Sequence, residues 1–280
     1  MTVSISDLRK QANTTRKDIV RMIHRAGSGH PGGSLSITDI VTALFFRVLD
    51  NDPDNPRWEE RDRFVLSKGH AVPALYSALA HAGYFPVEDL STLRKLGSPL
   101  QGHPDSDRLP AVEACTGSLG QGLSIASGIA LASSIRDLDY HTFCLIGDGE
   151  VNEGQIWESA LFNPSHDLSS LTVIVDYNKY QLDGPVDDIV PLEPFDEKWD
   201  AFNWTVRSID GHDMEQIVPE LEEAKESDDP TVIIADTVKG KGVSFMEGDN
   251  GFHGKAPDDD QLDKALDELN DREAELTHGV

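Results

Sequence analysis

The sequence predicts an α/β fold, a parallel sheet flanked by helices on both faces. Three observations predict it. Short apolar runs alternate with longer helix-like stretches along the chain, the order that builds layered α/β domains. The runs at 64–66, 142–146, 171–175 and 230–235 have the apolar character of strands covered by helices. Loops rich in glycine and histidine follow several of these runs, where ligands gather at the carboxyl ends of parallel strands.

Taken in order, residues 4–26 read as a helix with Ser6 as its cap and Leu8, Ala12, Ile19 and Ile23 on one apolar face. Gly27-Ser28-Gly29-His30-Pro31-Gly32-Gly33 holds too many glycines and a proline for a regular element, which frees its backbone to meet a ligand. Residues 36–49 form one strongly apolar, buried helix, and 51–63 a polar connection. Strand 64–66 leads into Ser67-Lys68-Gly69-His70 and a helix over 71–82, then a short helix over 90–96 and the loop Gln101-Gly102-His103-Pro104. Thr116-Gly117-Ser118-Leu119-Gly120-Gln121-Gly122 opens a helix of small residues running to Ile135, suited to close packing of helices or of a second subunit. Strand 142–146 ends at Gly147-Asp148-Gly149, a helix covers 153–162, and strand 171–175 ends at Asp176-Tyr177-Asn178. A loop over 181–194, a strand over 203–209, a turn, an acidic helix over 214–227 and a last strand over 230–235 follow. That strand runs into Thr237-Val238-Lys239-Gly240-Lys241-Gly242, a basic loop in an acidic chain, and then Gly251-Phe252-His253-Gly254. Residues 1–256 read as the folded domain and 257–280 as an acidic tail, with an exposed helix over 262–276 and a frayed end.

Composition narrows the function. Lys and Arg number 24 against 50 Asp and Glu, a formal charge of −26, so the surface repels nucleic acid and anionic membranes and neither is an expected partner. An anionic substrate is repelled as well, so a phosphate site needs a local cation or metal. Such a surface suits concentrated salt, where screening removes self-repulsion. The expectation is a salt-adapted, halophilic cytoplasmic protein whose melting temperature rises with salt. Cys115 and Cys144 fit no metal spacing and are expected as buried, reduced thiols. The first ten residues lack a basic-then-apolar signal pattern, and no apolar run is long enough to span a bilayer.

The chemistry centres on Gly147-Asp148-Gly149. Two glycines let a phosphate approach the backbone at a helix start, where free N–H groups favour an anion. The Asp148 carboxylate and Asn178 amide are hard oxygen donors at two strand ends, suited to a small divalent cation that also grips phosphates. His30, His70, His103 and His253 each sit beside glycine in a loop, and their spacing fits no zinc motif. Near neutral pH a histidine can donate to phosphate or hydroxyl oxygens and move protons.

Asp148-Gly149, the acidic helix start and Asn178 resemble the GDG…N fingerprint of thiamine-diphosphate enzymes. The longer stretches GDGEVNEGQIWESALF and LTVIVDYNKYQLDG, with SGHPG, LSKGHA, GHP and a late HG, resemble transketolase, and more narrowly the amino-terminal section of transketolases split into two chains. The resemblance spans about residues 8–256. It implies the diphosphate-binding domain of the thiamine-diphosphate-binding fold and transfer of a two-carbon ketol unit from a ketose phosphate to an aldose phosphate, as in the pentose phosphate pathway. The cofactors implied are thiamine diphosphate (thiamine pyrophosphate) and Mg²⁺, or Ca²⁺ or Mn²⁺ in its place.

Carried over residue by residue, Asp148, Asn178 and the main-chain carbonyl of Tyr180 would hold the metal. His30, His70 and His103 would orient the sugar and help move its protons, and His253 would contact diphosphate or the reacting carbonyl oxygen. His70, Gly117, Ser118, Leu119, Gly147, Asp148, Gly149, Glu150, Asn178, Leu182 and His253 would meet the cofactor. Ser118 replaces a frequent proline of the family's GPLGQG turn. Leu182 is placed on the thiazolium by the resemblance, while the sequence alone allows an ordinary core leucine. Glu153 and Glu158 complement a helix dipole or, in the family, join a subunit interface. Lys239 and Lys241 form a surface pair or reach a phosphate. The family's pyrimidine-binding domain, with the activating glutamate, is not matched here. The resemblance therefore implies half a cofactor site, a carboxyl-terminal partner subunit carrying that domain, and a heterotetramer of two copies of each chain. A 1-deoxyxylulose-phosphate synthase-like ketol synthase and a non-catalytic relative are the alternatives. The loop histidines argue against the first, and intact Asp148 and Asn178 against the second.

Overall fold

The structure, a computed structural model, describes residues 3–278. One sheet of five parallel strands runs in the order β1-β2-β3-β5-β4. The strands are β1 (Arg63–Leu66), β2 (Thr142–Gly147), β3 (Leu171–Tyr177), β4 (Thr205–Asp210) and β5 (Thr231–Asp236). Register pairs Gly147 with Asp176 and Asp176 with Ala235, so the tips of β2, β3 and β5 lie side by side. The helices are α1 (Ile5–Ala26), α2 (Pro31–Ser36), α3 (Thr38–Ala43), α4 (Val72–His81), α5 (Gln121–Arg136), α6 (Gly154–Phe162), α7 (Val186–Ile189), α8 (Phe195–Ala201), α9 (Met214–Lys225) and α10 (Asp259–His278).

Side chains alternate across a strand, and here the alternation divides the interior into two cores. Phe64, Leu66, Phe143, Leu145, Ile174 and Ile233 face one, covered by α1, α3, α4, α9 and α10. Val65, Cys144, Ile146, Val173, Val175, Val232 and Ile234 face the other, covered by α5, α6 and α8. The steps into β2 and β3 cross the sheet one way and the step from β4 to β5 crosses back. Right-handed crossovers then place α9 on the face opposite α5 and α6. The expected sheet with helices on both faces is the one observed.

Several expectations are corrected. Ser4, not Ser6, caps α1, its Oγ accepting from the Asp7 amide at 3.1 Å. The glycine-rich stretch after His30 is not irregular. Pro31 stands at the first position of α2, where its missing N–H costs nothing, and burial of both following glycines holds the turn. Residues 36–49 are not one helix: Ile37 interrupts it, and α3 passes into a π-helical turn, Leu44–Val48. The helix expected over 90–96 is a 3₁₀ turn over Val87–Thr92, because Arg94 takes a left-handed conformation. The loop over 181–194 contains α7, and α8 follows it, anchored by buried Phe195 and Trp199. Cys144 is buried but Cys115 is exposed, since Val112, Ala114 and Thr116 take the inward positions of an extended segment.

The tail helix forms but is not an exposed appendage. Ala265 and Leu269 of α10 are fully buried against the first core, and the Asn13 amide donates to the Leu269 carbonyl at 2.8 Å. The frayed end expected beyond it lies outside the described residues.

Candidate functional site

A cavity of about 280 Å³ opens at the carboxyl ends of the strands. Its walls bring together His30, His70, His103, Gly117, Leu119, Gly147, Asp148, Gly149, Glu150, Asn178, Tyr180, Leu182 and His253. Every site residue expected from the sequence lines it except Ser118, whose side chain is exposed outside the wall. Leu182 is 63% exposed, which excludes the core-leucine reading.

Asp148 stands at the end of β2. Its carboxylate accepts from the Gly149 amide at 2.7 Å and from the Lys179 amide. Burial, then the nearby Asp176 carboxylate, pushes its pKa up to about 7, since no side-chain cation neutralises it directly. Asn178 stands at the end of the adjacent β3. Its Nδ2 donates to Asp176 at 2.7 Å and its Oδ1 accepts from the Tyr180 amide at 3.1 Å. That bond fixes the amide with its oxygen toward the Lys179–Tyr180 turn, and Lys179 adopts a left-handed backbone there. Glu150 plays a different part. Its buried carboxylate accepts from the Ser67 hydroxyl and from the Gly120 and Gly147 amides at 2.9 and 3.0 Å, so it joins three walls of the cavity. A side chain at Gly149 would meet the Gln181 Cβ at 2.6 Å, so only glycine fits that turn.

Three histidines from three separate loops pack around one point. Ring centroids lie 5.0 Å apart for His30 and His70, 5.6 Å for His30 and His253, and 5.4 Å for His70 and His253. Burial, aided by Arg94, His103 and Lys239, lowers His30 to about 4. Burial and then Lys239 lower His253 to about 3, and burial and then Lys68 hold His70 well below its ordinary value. Burial, then Arg94, lowers His103 as well. All four are therefore neutral at pH 7, each with one ring nitrogen able to donate and one able to accept.

Sequence reasoning missed Lys68, Asp176, Gln181 and Gly33, and left Lys239 undecided. Lys68 donates to the Gly33 carbonyl at 3.1 Å and pairs with the fully buried Asp176. Lys239 is 2% exposed, and its Nζ lies 2.9 Å from His253 Nδ1 and 2.8 Å from Asn250 Oδ1. Burial and then Lys68 lower Lys239 to about 8. Lys241 faces outward and sits 3.9 Å from Glu247, so the two lysines part company. A signal for Asp176 existed: it lies two residues before Asn178, and alternation puts both on one side of the strand.

The residues fit the cofactor the fingerprint implies. His30 Nδ1 and Gln181 Nε2 are buried in this wall with no hydrogen-bond partner among the described residues, as groups awaiting a polar ligand are. Asp148, the Asn178 amide oxygen and the Tyr180 carbonyl are hard oxygens of the kind Mg²⁺ takes alongside phosphate oxygens. Among the described residues no cluster of three or more His, Cys, Asp or Glu forms a metal site by itself, consistent with a donor set drawn partly from amide and carbonyl oxygens. Lys239, which pairs with no carboxylate among the described residues, gives the cavity the local positive charge an anion needs on this acidic protein.

Comparison with known proteins agrees. The family described as "Transketolase, thiamine diphosphate binding domain" matches residues 8–272. The chain is similar to the 6-deoxy-6-sulfo-D-fructose transketolase subunit SqwG of Clostridium sp. (strain MSTE9), 48% identical over 264 residues, 94% of this chain and 96% of the relative. It is similar to an apulose-4-phosphate transketolase subunit of Actinobacillus succinogenes, 41% identical over 96% of this chain and 98% of the relative. The crystal structure of Campylobacter jejuni transketolase superposes with a TM-score of 0.90 at 36% identity, over 96% of this chain and 43% of that one. The chain thus spans less than half of a full-length transketolase. Fold, strand-end donors and these relatives together place it in the transketolase thiamine diphosphate binding domain family, as the amino-terminal part of a transketolase.

Proposed function

We propose that this chain is the diphosphate-binding subunit of a two-chain transketolase, active with a carboxyl-terminal subunit that carries the pyrimidine-binding domain, in an assembly of two copies of each. The observation that carries the reading is the meeting of Asp148, Asn178, Lys239 and four neutral histidines in one cavity at the tips of adjacent strands. Thiamine diphosphate, when bound, supplies the carbon nucleophile and electron sink for breaking and remaking a carbon–carbon bond. Asp148, Asn178 and the Tyr180 carbonyl would hold Mg²⁺, or Ca²⁺ or Mn²⁺ in its place, against the diphosphate. The Gln181 side-chain Nε2 offers a donor to the same group, and Lys239 offsets its charge. Leu119 and Leu182 supply apolar contact at the rim. His30, His70, His103 and His253, neutral and partly desolvated, orient sugar hydroxyls and take or return their protons.

The relatives are named for a sulfonated and a phosphorylated ketose, which supports an anionic ketose as donor and favours ketol transfer over 2-oxo acid decarboxylation. Among the described residues no helix is long and apolar enough to cross a membrane, in keeping with a cytoplasmic site of action.

Calorimetry tests the reading. Thiamine diphosphate should bind only with Mg²⁺, and more tightly with the partner present. Absence of Mg²⁺-dependent binding with the partner would sink the cofactor assignment. Full ketol transfer by this chain alone would sink the two-chain assignment.

A further inference from the structure

His212 lies outside the cavity, in the turn between β4 and α9, and its side chain is 11% exposed. Its ring is held at both nitrogens. Nδ1 lies 2.8 Å from the Asp39 carboxylate and Nε2 accepts from the Val238 amide at 2.8 Å. Burial alone would raise the Asp39 carboxyl, but Arg16 and His212 hold it far below the usual carboxylate range, so Asp39 only accepts. An amide N–H only donates. The two contacts therefore leave one assignment: the proton sits on Nδ1 and Nε2 is the bare acceptor. Asp39 also pairs with the buried Arg16, and Arg16 Nε donates to the Lys241 carbonyl at 3.2 Å.

Val238 and Lys241 flank Lys239 on either side. Both ends of the segment that carries the cavity's ammonium are thus tied to one buried unit, Arg16–Asp39–His212, whose members come from α1, α3 and the β4–α9 turn. Backbone bonds also tie the segment, among them Gly240 N to the Gly32 carbonyl at 3.0 Å, Gly248 N to the Lys239 carbonyl at 2.9 Å and Lys241 N to the Val238 carbonyl at 3.1 Å. We infer that His212 is a positioning residue for Lys239: by accepting the Val238 N–H it fixes the turn that aims the Lys239 ammonium at His253. This rests on the reading above, in which Lys239 serves a bound diphosphate.

An unmet N–H at Val238, facing the bare end of a truncated side chain, would turn toward water in the cleft lined by Asp210, Asp236 and Lys241. Such a rotation moves the next residue, and a lysine held by contacts of 2.8 and 2.9 Å loses them with a small displacement. Supporting residues of this kind act through the residue they aim.

The test uses the whole chain without cofactor. In wild type, nitrogen-15 spectra of the imidazoles should show His212 protonated at Nδ1, with a scalar coupling from Val238 N to Nε2. His212→Asn keeps a donor toward Asp39 but falls short of Val238, whereas His212→Gln carries an acceptor to the Nε2 position. The Lys239 ammonium resonance, assigned with Lys239→Arg, should move to the position of a solvent-exposed lysine in His212→Asn and return in His212→Gln. Inorganic pyrophosphate with Mg²⁺ should bind roughly tenfold more weakly to His212→Asn and recover in His212→Gln. Protonation at Nε2 in wild type, or an unmoved Lys239 resonance in folded His212→Asn, overturns the inference. If His212→Asn does not fold, the wild-type coupling and the His212→Gln resonance still decide. A wild-type chain that binds no pyrophosphate would count against the cofactor reading alone, because the Lys239 resonance is read without ligand.

Discussion

Asp148 and Asp176 occupy the tips of neighbouring parallel strands, both are buried, and they live in opposite surroundings. Asp176 receives the Lys68 ammonium, the Ser36 hydroxyl at 2.7 Å, the Asn178 amide at 2.7 Å and the Thr237 hydroxyl. Burial alone would raise it, but Lys68 and these hydrogen bonds hold it below the ordinary carboxylate value. Asp148 receives only backbone amides and rises to about 7. Burial is common to both, so partners decide the role. The β3 tip is a closed polar knot that fixes the wall, whereas the β2 tip keeps capacity for a cation.

The contrast can be broken at three residues. Asp176→Ala leaves the Lys68 ammonium buried and unpaired, and should lower unfolding free energy by about 3–5 kcal/mol in urea titrations. A loss below about 1 kcal/mol would mean the knot is not structural. Asp148→Ala should cost the fold far less than Asp176→Ala yet weaken Mg²⁺-thiamine diphosphate binding by roughly 100-fold in calorimetry. Equal loss of stability in the two variants would erase the distinction.

The pH dependence sharpens it. Asp148 has a folded pKa near 7, above its unfolded value of 3.8, so between the two the folded chain retains a proton that the unfolded chain releases. Metal-free wild type, measured against Asp148→Asn, should therefore lose stability as pH rises from 4 to 7, by about 3 kcal/mol, and level off above. Added Mg²⁺ should reverse that trend, and a flat difference would refute the raised carboxyl. The smallest effect is expected from Ser36→Ala, about 1 kcal/mol, since Asp176 keeps its other partners.

The sequence made the strand tips legible because their chemistry is local. Glycine, aspartate and asparagine at the ends of apolar runs announce themselves by type and spacing, and the histidines by their glycine neighbours. Lys68 and Asp176 were harder to read because their meaning lies in a contact between residues more than a hundred positions apart. Lys239 was ambiguous for the same reason: its burial is created by Asn250, His253 and Gln181, which meet it only in space. Among the elements, α8 and the packing of α10 escaped notice because both sit in charged stretches. Their few anchors, Phe195 and Trp199 in one and Ala265 and Leu269 in the other, gain significance only from the surfaces they cover. The interruption at Ile37 has no breaker in the sequence and follows from tertiary packing.

The cavity rim carries a consequence for handling the protein. Leu119 and Leu182 at the rim are 39% and 63% exposed, and Ile189 and Val190 at the end of α7 are 40% and 48% exposed, on a protein whose formal charge is −26. In dilute buffer that charge keeps copies apart. Concentrated salt shortens the range of repulsion to a few ångströms and strengthens the drive to bury these apolar side chains. The same salt that screens the charge thus favours contact between copies through these apolar side chains.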